Sequence, residues 1–152
     1  MKLLRSWFVI FLLGMVLVPV LRADEDSCGP QGCAGAKSAD LGIFVDELSY
    51  DDLMTLKNSE EKFILLDTRG AEQFAAGHID GALSFPLANM LPEKCKLLLP
   101  QDVKIVVYCQ SSSCNVSHAA AQKLKSLGYE DVLDYHGGIN EWVTKGNQLV
   151  KN

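Results

Sequence analysis

Residues 105–128 read IVVYCQSSSCNVSHAAAQKLKSLG. Ile105 to Tyr108 are β-branched or aromatic throughout, the most strand-like run in the chain, which predicts a buried central strand. A polar loop follows from Cys109 to Asn115. From Ser117 to Leu127 the pattern turns helical. Ala119, Ala120, Ala121, Leu124 and Leu127 give it a small-residue face suited to close packing on a sheet. Gly128 stands where a helix ends in the left-handed C′ conformation.

Working outward, the same alternation recurs. Upstream, Ile43–Val45 predicts a short strand, and Ser49 caps a helix to about Lys57, with Asp52 as its capping partner. Phe63–Leu66 predicts a buried strand ending at Asp67, and Glu72–Ala76 a brief helix stopped by Gly77. Ala82–Phe85 is a further short strand closed by Pro86, and residues 87–98 read as one or two short helices broken near Pro92. Downstream, Val132–Leu133 is the last strand and Ile139–Lys145 the last helix. Strands alternating with helices imply an α/β fold: right-handed crossovers and a mainly parallel sheet with helices on both faces. In such sheets the working site lies beyond the carboxyl ends of the strands. Two features stand there: Asp67-Thr68-Arg69, and the loop from Cys109 to Asn115.

The chain has 152 residues, enough for one domain with an appendage. Lys2 and Arg5 precede an uncharged apolar run from Trp7 to Leu21, the layout of an export signal and short for a spanning helix. Residues 1–23 are expected to be a signal peptide, or, if uncleaved, an anchor through residues 7–21. Residues 24–40 are small, polar and Gly/Pro-bearing, a flexible linker, which leaves 41–150 as the domain. The expected location is exported, periplasmic or secreted. Without residues 1–23 the chain keeps 11 basic and 19 acidic side chains, a net charge of −8. That excludes the clustered Lys/Arg surface that nucleic acids need, and leaves membrane contact to the N-terminal segment alone.

All five cysteines, Cys28, Cys33, Cys95, Cys109 and Cys114, follow the signal segment. Two pairs, Cys28/Cys33 and Cys109/Cys114, share a C-x4-C spacing that does not suit structural zinc, so no metal or cofactor is expected. Cys28 and Cys33 suit a tail disulfide, and Cys95, between Lys94 and Lys96, a spare thiol. Cys109 stands directly after a buried strand and before a helix start. Backbone N–H groups of Gln110 to Asn115 and the helix N-terminus can favour its thiolate. The same cradle, Gln110, Ser111, Ser112, Ser113 and Asn115, would bind an anion carried on the sulfur. The plainer reading of Cys109 as a small core residue sits poorly with so polar a loop. Arg69 is a candidate for the positive field the loop lacks, although with Asp67 it equally suits tying neighbouring loops together. Ser117 and His118, on the first helical turn, are placed to support the loop. His78 reads as part of a structural turn, Trp142 as core, and Gly137-Gly138 as a turn packing near the site. The sequon Asn115-Val116-Ser117 is read as chance.

Over residues 41–146 the chain resembles the rhodanese family. Four stretches carry the resemblance: ILLDTRGAEQFAAGHIDGALSFPL (64–87), IVVYC (105–109), AAAQKLKSLGY (119–129) and HGGINEW (136–142). It implies a three-layer fold on a five-stranded, mainly parallel sheet, and a cysteine, here Cys109, that cycles through a persulfide. The family's loop runs six residues from the cysteine, with Gly in its middle and Arg then Ser at its end. This chain has Ser111-Ser112-Ser113 instead. Counting back from Gly128 places Ser117 at the family's Ser and Val116 at its Arg; counting forward from Cys109 places Cys114 at the Arg. Neither alignment supplies a basic residue. That weakens use of an anionic donor such as thiosulfate and argues against phosphatase activity.

Cys114 widens the chemistry. It could resolve a persulfide or sulfenate on Cys109, form a redox dithiol with it, close a structural disulfide, or stay independent. The function this implies is a rhodanese-like sulfurtransferase or sulfane-sulfur carrier acting through a Cys109 persulfide that Cys114 resolves. The alternatives are a thiol–disulfide oxidoreductase using Cys109/Cys114, and a non-catalytic binding or sensory module. The partners implied are a small sulfur-containing anion or a persulfide or thiol as donor and acceptor, with a redox partner protein for the dithiol reading.

Overall fold

The computed structural model describes residues 41–151. The expected signal segment, the linker, Cys28 and Cys33 lie outside them. Five strands form one sheet in the order β1-β5-β4-β2-β3: β1 (Asp46–Glu47), β2 (Phe63–Asp67), β3 (Ala82–Ser84), β4 (Lys104–Tyr108) and β5 (Val132–Tyr135). Every strand pairing is parallel. The run at 105–108 is the central strand, as its composition predicts, and pairs Val106 with Leu65 and Leu133.

Residues of alternating parity leave β4 on opposite faces. Ile105 and Val107 join Leu66, Ala120, Ala121, Leu124 and Met90 in one core, under α3 (Pro92–Leu98) and α4 (Val116–Ser126). Val106 and Tyr108 join Leu53, Leu65, Phe74, Ile139 and Trp142 in the other, under α1 (Tyr50–Asn58), α2 (Ala71–Ala76) and α5 (Gly138–Thr144). The three small side chains at 119–121 let α4 lie close on the sheet, and Gly128 takes a φ of 94° after the helix ends. Among the described residues no helix is long and apolar enough to cross a membrane.

Most elements lie within a residue or two of their expected bounds. Ser49 caps α1 by accepting from the Asp52 N–H at 3.1 Å, and Gly77 ends α2. Pro92 opens α3, after a 3-10 turn at Leu87–Asn89. His78 is structural: its ring stacks on Phe74, its Nδ1 lies 2.9 Å from the Phe74 carbonyl, and its backbone bridges Val150. Two expectations need correction. The first strand is Asp46–Glu47, not Ile43–Val45, because Val45 is buried through core packing and only the two residues after it pair with β5. The last strand continues through Asp134 and Tyr135. Cys95, the expected spare thiol, is free and fully buried in the α3–α4 core.

Candidate active site

The parallel topology brings the carboxyl ends of β2, β4 and β5 to one rim, and all the candidate residues of those ends meet there. β4 stops at Tyr108, and Cys109 is the next residue, on the α4 side of the sheet. Its side chain is wholly enclosed. Cys109 Sγ donates to the Cys114 carbonyl at 3.0 Å, with the Ser111 carbonyl at 3.7 Å. Ser117 Oγ donates to the same sulfur at 3.3 Å.

These contacts overturn one expectation. The loop does not hold Cys109 as a ready thiolate. The contact with Cys114 and then burial raise the Cys109 pKa well above the ordinary thiol range, while the Ser117 hydroxyl and backbone N–H pull weakly the other way. The loop's path brings the Cys114 side chain to the sulfur. A tight turn, with the Cys114 N–H on the Ser111 carbonyl at 2.9 Å, aims carbonyl oxygens at the sulfur. Among the described residues, Ser117, at the start of α4, supplies the N–H expected of the whole loop. Cys109 and Cys114 are both thiols, and Cys114 is likewise buried.

The rest of the loop is held from two sides. Arg69 lies buried at the end of β2, where its guanidinium makes a two-pronged pair with Asp67 (2.6–3.1 Å) and donates to the Gly77 carbonyl at 2.7 Å. Its remaining arm donates to Gln110 Oε1 at 3.0 Å. Arg69 therefore ties loops together, and its charge is shared with Asp67 before it reaches the sulfur. Gln110 passes the connection on, its amide donating to Asn140 Oδ1 at 2.8 Å. From the other side, the first N–H groups of α5 seize the loop backbone: Ile139 N–H on the Cys109 carbonyl at 3.1 Å, and Asn140 N–H on the Gln110 carbonyl at 2.9 Å. Gly138, at φ 59°, permits this. A Cβ there would stand 2.4 Å from the Cys109 carbonyl oxygen. The expected packing of Gly137-Gly138 near the site takes this form.

The tip of the loop faces outward. Ser112, Ser113 and Asn115 are exposed, and Ser111 Oγ lies 3.0 Å from Ser113 Oγ. Asn115 precedes α4 and accepts the Ala119 N–H on its carbonyl. His118, placed on the first helical turn to support the loop, instead sets its Nδ1 3.6 Å from Asp134 Oδ2, with the side chain 38 % exposed. Sequence reasoning passed over Asp134, Asn140 and His136 as site residues. Asp134 carried a usable signal, a carboxylate inside the apolar strand VLDY (132–135) of a parallel sheet. Asn140 carried none, since one exposed helical Asn resembles any other.

Against known proteins, the model of the rhodanese-like domain matches residues 49–145. A sulfurtransferase from Allochromatium vinosum is 31 % identical over 106 residues, covering 70 % of this chain and 95 % of that protein. The adenylyltransferase and sulfurtransferase UBA4 of Meyerozyma guilliermondii is 30 % identical over 83 % of this chain, which spans 29 % of that larger protein. An uncharacterised Synechocystis protein, slr1261, is 37 % identical over 94 residues, 49 % of its length. Among solved structures, the BH2092 protein of Bacillus halodurans superposes with a TM-score of 0.65 at 30 % identity, over 70 % of this chain and 77 % of that one. The human single-domain sulfurtransferase TSTD1 gives 0.57 at 28 % identity, over 68 % and 100 %.

Proposed function

The chain belongs to the rhodanese-like sulfurtransferase family, and from that premise we propose that it transfers sulfane sulfur through a persulfide on Cys109. The observation that carries this reading is the position of Cys109: it caps the central strand, its sulfur touches Ser117 at the helix start, and its backbone is clamped by α5. After Cys109 loses its proton, the thiolate attacks the outer sulfur of a donor. The donor's S–S bond breaks, and its other half leaves with the electron pair as a thiolate or sulfite. A nucleophilic acceptor then takes the outer sulfur and regenerates the thiolate. With Cys109 enclosed, the donor enters when the exposed Ser112–Ser113 tip swings away, which breaks the Cys114 N–H bond to the Ser111 carbonyl and the Cys109 Sγ–H bond to the Cys114 carbonyl. The loop has no base and Arg69 is committed to Asp67, so persulfide donors suit the site better than thiosulfate.

The resolving role of Cys114 is supported by one observation, the contact of its side chain with the Cys109 thiol, both cysteines being free and buried. Its thiolate would attack the inner sulfur of the persulfide, release hydrosulfide and leave a Cys109–Cys114 disulfide, which an external dithiol must reduce. The same contact favours the second reading, a thiol–disulfide oxidoreductase. Residues 1–23, by composition an export signal, place the reaction outside the cytoplasm in this proposal. The mature N-terminus, read after expression in an exporting host, tests that placement.

Thiocyanate production from cyanide, with a small-thiol persulfide or thiosulfate as donor, tests the main reading. Wild type is expected to turn over, faster with the persulfide, and Cys109→Ser to lose all activity. Cys114→Ser is expected to retain thiocyanate production but stop releasing hydrosulfide. Turnover surviving in Cys109→Ser would overturn the proposal. Reduction of a disulfide substrate without thiocyanate production would move the assignment to the dithiol.

A further inference from the structure

Resolution of a Cys109 persulfide by Cys114 leaves a disulfide that needs a dithiol to reduce it. The chain carries a second cysteine pair of the same C-x4-C spacing, Cys28 and Cys33. The described residues fix where that pair is tethered. Gln122, buried on α4, holds the start of the domain with both ends of its amide. Leu41 N–H donates to Gln122 Oε1 at 3.1 Å, and Gln122 Nε2 donates to the Ile43 carbonyl at 3.2 Å. Between these bonds Gly42 turns the chain at a φ of 65°, and Val45 then enters the core. A buried amide is costly unless it is paired, and here its partners are the backbone of the entering segment.

This anchor lies near the reacting sulfur. Ser117, whose hydroxyl donates to Cys109 Sγ at 3.3 Å, stands five residues before Gln122 on the same helix. Five helical residues rise about 7–8 Å. Cys33 precedes Leu41 by eight residues and Cys28 by thirteen. Eight residues of chain span up to about 26–29 Å, and thirteen up to about 43–47 Å. Both tail sulfurs are therefore within reach of the loop. Cys109 and Cys114 are buried, so a reductant that meets the tail need not enter the loop itself.

We propose that Cys28 and Cys33 form an in-chain dithiol that reduces the Cys109–Cys114 disulfide. This rests on the reading that Cys114 pairs with Cys109 during turnover. With the loop open, the Cys33 thiolate attacks the Cys114 sulfur. The loop S–S bond breaks, and Cys109 leaves with the electron pair as a thiolate, met by the Ser117 hydroxyl. The Cys28 thiolate then attacks Cys33 in the mixed disulfide, and Cys114 leaves as a thiolate. Two electrons pass from tail to loop, and the two released thiolates take up the protons that Cys33 and Cys28 gave up. The loop returns to two thiols, the tail becomes a disulfide, and an external dithiol reduces the tail.

The test adds one equivalent of a small-thiol persulfide to the reduced full chain, blocks free thiols with N-ethylmaleimide at intervals, and follows tryptic peptide masses. One peptide, ending at Lys37, carries Cys28 and Cys33; another, residues 105–123, carries Cys109 and Cys114; Cys95 falls on neither. A disulfide, read as a loss of about 2 Da, is expected first on the loop peptide and then on the tail peptide. The transfer rate is expected to be unchanged by dilution, because the encounter is intramolecular. Cys28→Ser is expected to strand a mixed disulfide joining the two peptides through Cys33 and Cys114. Deleting residues 34–39 keeps every cysteine but leaves Cys33 only two residues, about 7 Å, from Leu41, its tail peptide then ending at Lys57. That variant is expected to transfer roughly tenfold more slowly or worse. A rate that scales with protein concentration, or one the deletion leaves unchanged, overturns the relay. Sulfur uptake on Cys109 with a loop disulfide that never passes to the tail overturns the relay and leaves the sulfurtransferase reading standing. Passage of a loop disulfide made with one equivalent of diamide, in a chain that takes up no sulfur, does the reverse.

Discussion

The Cys114 side chain, and then burial of the sulfur, push the Cys109 thiol up, against the smaller opposite pull of the Ser117 hydroxyl and N–H, while its S–H is spent on the Cys114 carbonyl. The loop's other departure, its lack of positive charge, acts at the same scale. One charge-assisted hydrogen bond is worth about 1.5–3 kcal/mol, or roughly 10- to 100-fold in a rate or binding constant. Ser113→Arg, at an exposed position on the tip, is therefore expected to raise kcat/KM for thiosulfate by about tenfold or more while leaving persulfide donors little changed. Steady-state kinetics with both donors check this, and equal gains with both would mean that the charge does not read the anion.

The elements explain how so polar a loop is held in place. The β5–α5 turn holds the backbone of Cys109 and Gln110, and Gly138 is the hinge of that grip. Gly138→Ala forces a Cβ into the Cys109 carbonyl at a φ that side chains avoid. It is expected to cost about 2–3 kcal/mol and to depress sulfur loading beyond what the lost stability explains. Ser49→Ala, which removes the α1 cap far from the site, is expected to cost about 1 kcal/mol and to leave loading untouched. Denaturant unfolding read beside sulfur uptake separates the two. This grip was half legible in the sequence. The strand-like run at 105–108, the small face of α4 and the glycines at 137–138 are local patterns, and each marked its element or turn. The direction of the Cys109 S–H depends on a carbonyl orientation that no local pattern encodes. The two-residue β1 was misplaced because Asp46 and Glu47 are exposed and acidic, giving no apolar signal, whereas of the apolar run Ile43–Val45 only Val45 enters the core and none pairs with β5.

At the scale of the whole molecule, two cores enclose one parallel sheet, and four buried polar groups collect at one rim of it. Asp67, Arg69, Ser117 and Asp134 are all buried there. Asp134 sets a stability that depends on pH. Its folded-state pKa is raised, chiefly by burial, so the folded protein binds that proton more tightly than the unfolded chain does. The contribution is fully present below the unfolded carboxyl pKa of about 3.9 and is lost as pH rises through the folded value. Asp134→Asn is thus expected to melt about 4–8 °C above wild type at pH 8, as for a gain near 1 kcal/mol in a small domain, with the difference shrinking toward pH 4. Melting curves at the two values check it, and a constant difference would mean that the carboxylate is not strained by burial.

The most direct test of the account is the intact mass of the purified protein after exposure to a small-thiol persulfide, with and without later reductant. The account predicts a gain of about 32 Da per sulfur, located on the peptide carrying Cys109, removed by reductant and absent from Cys109→Ser. No gain in mass, or the same gain in Cys109→Ser, would contradict it.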